Sequence, residues 1–131
     1  MALVLAVANQ KGGVGKTTTS INLAASLAAM QREVLLVDMD PQGNATTGSG
    51  IQEGDTEYSI YDVLIDGVLA TKSMINAEAA GYHLLPATAD LTGAEIELLE
   101  MVEWEYRLKR ALQPVSDNYD YIIIDCPPSL N

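Results

Sequence analysis

A single cysteine, Cys126, occurs in 131 residues, so no internal disulfide can form and no cysteine-based zinc site can be assembled. Basic side chains are also scarce, 7 against 18 carboxylates, and the formal net charge is −11. That balance argues against this chain alone coating nucleic acid or an anionic membrane. The one histidine, His83, has no partner set for a metal and reads as a strand residue. No run approaches the ~18 apolar residues of a membrane span. Trp104 and the tyrosines are not interleaved with basic residues, which leaves no stacking platform for bases. No internal repeat and no interdomain linker is visible. What is present is apolar: a hydrophobic content of 48 % excludes intrinsic disorder. At roughly 150 residues per domain, the length suggests one domain with a sizeable core.

The charge is unevenly placed. Residues 1–32 hold Lys11, Lys16 and Arg32 and no carboxylate, a local +3, and the remainder carries −14. A cationic island at the head of an acidic chain hints at an anion site. The opening Met1–Ala8 imitates a signal peptide but lacks a basic n-region. It reads instead as a buried strand, and the chain as cytoplasmic.

Four short apolar runs, Leu3–Ala8, Val34–Val37, Tyr82–Leu85 and Tyr121–Ile124, punctuate the sequence. Runs that are continuous rather than alternating suit strands covered on both faces, as in a parallel sheet. Between them Thr17–Met30, free of charge, predicts a closely packed, mostly buried helix. Ser59–Asp66 predicts a short helix, with Ser59 and Asp62 spaced as a capping box and Gly67 as its stop. Thr92 to about Gln113 predicts a long helix, opened by a Thr92/Glu95 box and ended by Pro114. Its apolar stripe includes Leu98, Val102, Leu108 and Leu112, and its acidic run reads as a solvated face with Glu103–Arg107 and Glu105–Lys109 as i,i+4 pairs. Gly43–Asp55, dense in Gly, Thr, Ser and Asn, reads as a mobile loop. Strand–helix alternation of this kind predicts an α/β domain.

Directly after the first run stands Lys11-Gly12-Gly13-Val14-Gly15-Lys16-Thr17-Thr18, followed by the predicted helix. Strand, glycine-rich turn and helix N-terminus are the context of a phosphate-binding loop. Glycines let backbone N–H groups converge on phosphate oxygens, and the helix end adds partial positive charge. Gly12, Gly13, Val14, Gly15, Lys16, Thr17 and Thr18 are therefore the candidate nucleotide contacts. Lys16 would reach the β- and γ-phosphates and the Thr17 hydroxyl would ligate Mg²⁺. No G-x-G-x-x-G occurs, which disfavours a dinucleotide site. The loop departs from the standard form in having Gln10 where a glycine is usual and an extra lysine, Lys11.

Two strand ends complete the candidate site. The second run closes on Asp38-Met39-Asp40-Pro41-Gln42-Gly43-Asn44 and the fourth on Asp125-Cys126-Pro127-Pro128. Carboxylates at the carboxyl ends of parallel strands project into the ligand crevice. An apolar strand ending in Asp125 has the form of the carboxylate that holds Mg²⁺, usually through water. Asp38 and Asp40 could alternatively only cap a turn before Pro41. Cys126 reads as a buried small residue.

Together these segments resemble the ParA/Soj branch of the deviant Walker A ATPases, which also include MinD and nitrogenase iron protein. The specific parts are KGGVGKTT at Lys11–Thr18 and DMDPQGNAT at Asp38–Thr46, with Pro86–Thr88 and Gly93-Ala94-Glu95 also similar. The resemblance implies a three-layer P-loop fold with a mostly parallel sheet, of which residues 1–131 are the N-terminal half. It implies ATP and Mg²⁺ as cofactors and an ATP-driven homodimer in which Lys11 crosses to the partner's phosphates. Gly12 would stay small because the partner loop passes close by; Asp40 would orient the attacking water, and Asp38 would lie near the magnesium shell. It further implies a ParB-type partner that stimulates hydrolysis, non-specific DNA binding through the other half of the protein, no membrane, and partition of chromosomes or plasmids in the cytoplasm, at the nucleoid. The alternatives are a MinD-like or cargo-positioning ATPase, or a non-catalytic fragment. If further strands flank those present here, an apolar strand edge would be left open, inviting self-association or leaving the chain marginally stable.

Overall fold

The computed structural model describes residues 2–7, 14–40, 42–52, 55–77, 80–87 and 104–126, the side chains of residues 14–17 and 104 excepted. In chain order the elements are β1 (Leu3–Val7), α1 (Val14–Ala29), β2 (Val34–Asp38), α2 (Asn44–Gly48), α3 (Ile60–Asp66), α4 (Ala70–Ser73), β3 (Ile75–Ala77), β4 (Tyr82–Leu85), α5 (Trp104–Leu112) and β5 (Tyr121–Asp125). A 3-10 segment, Gln113–Asn118, joins the last two, with Pro114 in its first turn. The five strands form one sheet in the order β1-β5-β2-β4-β3. Every pairing is parallel except that of β3 with β4.

All four apolar runs are strands, and β2 shows why a continuous run was needed. It lies between β5 and β4, and all five of its residues are buried. Leu35 and Val37 enter one core with Ile122, with Ile60, Tyr61 and Leu64 of α3, and with Leu108 and Leu112 of α5. Val34 and Leu36 enter the other with Ile123, Ala24 of α1 and Ala45 of α2. The alternation of a strand's side chains therefore feeds two cores, and helices on both faces make three layers. Each fully buried Leu or Ile contributes about 1.5–3 kcal/mol of transfer free energy.

The structure departs from the sequence expectations in five places. Among the described residues β1 is an edge strand rather than a buried one, with Leu3 57 % and Val4 51 % exposed. The pattern of a run reports covered faces, but the order of strands is set by long-range pairing. α1 is also not mostly buried. Only Ser20 and Ala24 among residues 18–29 are, because one stripe faces the sheet and nothing among the described residues covers the other. Gly43–Asp55 is not simply a loop, since Asn44–Gly48 is helical and Ala45 and Thr46 are buried. β3 was not foreseen, as three residues are too few to show a period. Cys126 is half-buried rather than buried.

Helix ends follow local chemistry. Ser59 caps α3 in a full capping box with Asp62, and Gly67 ends it at φ 74°. α1 closes without glycine: the Gln31 N–H donates to Ala28 O (2.9 Å) and the Arg32 N–H to Leu27 O (3.1 Å), with Gln31 itself at φ 63°. Of the long predicted helix, Trp104–Leu112 is observed, with Leu108 and Leu112 buried and Glu105 and Lys109 exposed. Residues 92–103 lie outside the described part. Arg107 reaches across to α3 and donates to Leu64 O at 3.0 Å.

Candidate nucleotide site

Because β1, β5, β2 and β4 run in parallel, their carboxyl ends meet at one edge of the sheet. Asp125 lies opposite Val7 on one side and Asp38 on the other in the strand registers. The Cys126 N–H donates to Val7 O (2.9 Å) and the Met39 N–H to Asp125 O (3.0 Å), so the three strand ends are stitched one residue further. This alignment brings together two predicted site carboxylates that are far apart in sequence. Both are fully buried.

Asp125 Oδ1 accepts a 2.7 Å hydrogen bond from the Ser20 hydroxyl on α1. Asp38 is held more tightly. Its Oδ1 accepts from the Asp40 N–H (3.0 Å) and its Oδ2 from both the N–H (2.8 Å) and the hydroxyl (2.7 Å) of Thr46. Burial pushes the Asp38 carboxyl up to about 6, an effect that these three donors oppose and the nearby Asp125 charge reinforces. Asp40 is likewise buried, its Oδ1 accepting from the Gln42 N–H (3.0 Å) and its Oδ2 from the Asn44 side-chain amide (2.8 Å). Asp38 and Asp40 shape a turn, and the turn packs them at the carboxyl ends of the strands, where a ligand crevice belongs.

The loop itself is only partly described. Lys11, Gly12 and Gly13 lie outside the described residues. Val14, Gly15, Lys16, Thr17 and Thr18 form the first turn of α1, with no acidic residue among them. The glycine-rich segment thus runs into a helix N-terminus, whose partial positive charge favours an anion. Position 17 lies three residues before Ser20, on the helix face that Ser20 turns toward Asp125.

Two partners of the site carboxylates were not assigned from sequence, Ser20 and Thr46. A lone hydroxyl in a helix carries no pattern of its own, although among the described side chains of α1 Ser20 is the only buried polar one, and Thr46 closes the DMDPQGNAT segment. Among the described residues no group of three or more His, Cys, Asp or Glu side chains could hold a metal ion alone. Nor is any described helix long and apolar enough to cross a membrane. His83 is a structural residue, its Nδ1 2.7 Å from the Tyr119 hydroxyl at the opposite end of the sheet. A shallow cleft there, lined by Glu33, Asn76, Tyr82 and His83, contains none of the predicted site residues.

Known proteins are similar to this chain in sequence and fold. The family described as an AAA domain matches residues 2–131. The sporulation initiation inhibitor protein Soj of Bacillus subtilis is 55 % identical over 130 residues, which are 99 % of this chain and 51 % of Soj. The chromosome partitioning protein ParA of Myxococcus xanthus is 53 % identical over 127 residues, 97 % of this chain and 45 % of that protein. The chain therefore spans about half the length of the curated relatives it matches. A crystal structure of cobyrinic acid a,c-diamide synthase from Mycobacterium smegmatis, with bound ATP analog and magnesium, superposes with a TM-score of 0.88 at 46 % identity, covering 100 % of this chain and 53 % of that one. The parallel sheet and these relatives together place the chain in the AAA-domain family of P-loop ATPases, in its ParA/Soj branch.

Proposed function

We propose that this chain is the nucleotide-gripping part of an ATP-binding and ATP-hydrolysing dimeric switch for chromosome or plasmid partition, working with a ParB-type partner. The observation that carries the proposal is the alignment of Asp38 with Asp125 at the carboxyl ends of adjacent parallel strands, tied through Ser20 to the helix that begins in the glycine-rich loop. The name of the chromosome partitioning protein ParA supports partition, and the ATP analog and magnesium held by the 46 %-identical structure support the cofactors.

On this reading, backbone N–H groups from Gly12 to Thr18 cradle the phosphates and Lys16 neutralises the β- and γ-oxygens. Thr17 and Asp125 would hold Mg²⁺, with Asp38 near the magnesium shell. The donors fit: all are oxygen, as magnesium requires, and a site with few protein ligands leaves room for waters and phosphate oxygens. Asp40 orients the attacking water. Lys11, the extra lysine, reaches the partner subunit's nucleotide and stabilises charge spreading over the γ-phosphoryl oxygens. DNA would bind through parts of the longer protein beyond this acidic chain, placing it at the nucleoid in the cytoplasm.

Phosphate release and sedimentation, each with Mg²⁺ and ATP in the longer protein, test the proposal. Asp40→Ala should bind ATP, stop turning over and accumulate as a dimer. A variant that stays monomeric with ATP, or hydrolyses it normally, would refute the dimeric switch. The synthase name of the 46 %-identical structure favours a second reading, in which ATP activates a carboxylate for amide formation. Phosphate release that needs an acid and an amine donor would favour that reading. Release stimulated by DNA and a ParB-type protein would favour partition.

A further inference from the structure

The five-residue helix α2 is an odd place to find two buried residues and three bonds to site carboxylates. Its sequence, NATTG, has little helix propensity, and its N-cap Gly43 makes no side-chain cap bond. What holds it is Thr46, 4 % exposed. The Thr46 N–H and hydroxyl both donate to Asp38 Oδ2, at 2.8 and 2.7 Å. The same hydroxyl accepts from the Ala87 N–H at 3.0 Å, just past the end of β4. Ser49, at the other end of α2, bonds the Tyr82 hydroxyl of β4 at 2.6 Å. From the first turn of the fixed helix, Asn44 donates to Asp40 Oδ2 at 2.8 Å. Asp38, in turn, accepts from the Asp40 N–H.

We propose that Thr46 is a positioning residue for hydrolysis, its hydroxyl bridging Asp38 to the end of β4 and so fixing α2, from which Asn44 orients the Asp40 carboxylate. Thr46 touches neither nucleotide nor water in this scheme. It acts through Asp38 on one side and through Asn44 and Asp40 on the other. A valine would fill the same volume and keep the backbone N–H bond to Asp38 Oδ2, but its side chain could neither donate to Asp38 nor accept from Ala87, leaving the buried Ala87 N–H without its acceptor and Asp38 Oδ2 one donor short. A serine would keep both bonds.

This inference rests on the ATPase reading, and the test separates the two. Amide hydrogen exchange and Mg·ADP affinity are measured on the 131-residue chain as wild type, Thr46→Val, Thr46→Ser and Asn44→Ala, and Mg·ATP turnover on the longer protein carrying the same substitutions. In Thr46→Val the Asp40 and Ala87 amides should exchange at least about tenfold faster, while those of Ile122 and Ile123 in β5 stay within about twofold. Turnover number should fall by about tenfold or more with Mg·ADP affinity nearly unchanged, and Thr46→Ser should restore both readouts. Asn44→Ala, at an exposed position, should lower turnover while keeping the Ala87 amide protected. Unchanged Asp40 and Ala87 exchange in Thr46→Val would overturn the proposal. So would uniform acceleration that includes β5, or a loss that Thr46→Ser does not restore, since either marks a packing role. If the wild type releases no phosphate, the ATPase reading fails, and the exchange pattern alone decides whether Thr46 positions Asp40.

Discussion

Lys11 and Lys16 sit five positions apart in one loop, yet their substitutions should separate cleanly. Lys16→Ala removes the charge expected on the β- and γ-phosphates of the subunit's own nucleotide and should abolish ATP binding in equilibrium titrations. Lys11→Ala should keep binding but lose dimerisation and turnover; normal turnover in that variant would rule out its action across the interface. Asp38 offers a prediction that needs no nucleotide. Its carboxyl is raised to about 6 in the folded chain, above the ordinary 3.8. Between these values the folded state keeps a proton that the unfolded state has released, so this group's contribution to stability falls as pH rises through that window. The full fall is about 3 kcal/mol at 1.36 kcal/mol per pKa unit. Urea unfolding in chelator should therefore show wild-type stability declining relative to Asp38→Asn from pH 4 to pH 7, and a constant difference would contradict the burial cost. The two strand-end aspartates were legible in the sequence because an apolar run that stops on a carboxylate is a recognisable junction. Their hydroxyl partners were not, because the bonds from Ser20 and Thr46 depend on helices being laid against strands distant in sequence.

Local elements were read well where their chemistry is self-contained. The α3 capping box and its glycine stop lie within nine residues and need no tertiary help. The sequence of α2 reads as loop because its stability comes from Asp38, Ala87 and Tyr82, none of which its own residues announce. The end of α1 carries an avoidable cost. Gln31 occupies the left-handed conformation in which a residue with a Cβ is disfavoured by about 1–2 kcal/mol. Part of that is offset by the extra freedom glycine gives the unfolded chain. Gln31→Gly should thus raise the unfolding free energy by about 0.5–1 kcal/mol, read from the denaturation midpoint. Gly43 should behave oppositely. A Cβ there would lie 3.0 Å from Ala87 O, at φ 66°, so Gly43→Ala should destabilise by about 1–2 kcal/mol and loosen the junction of α2 with β4.

For the whole molecule, the open side of β1 is the governing feature. Leu3 and Val4 are both more than half exposed on a strand with no neighbour beyond it among the described residues. Such an edge is a template for pairing. The 131-residue chain should therefore show concentration-dependent association in sedimentation, and Val4→Lys should shift it toward monomer; a monomer indifferent to concentration would argue against edge pairing. The fold class was legible from the run pattern, but strand order was not, because it is written in contacts between residues far apart along the chain. That order has a consequence for how the protein is made. β5 separates β1 from β2, and it is the last of the five strands to be synthesised. Until residues 121–125 leave the ribosome, β1 has no partner at all and β2 lacks one of its two. The growing chain must carry Leu35, Val37 and the apolar face of α1 through translation without the strand that shields them, so nascent chains stalled before residue 121 should be held by chaperones and released once β5 emerges.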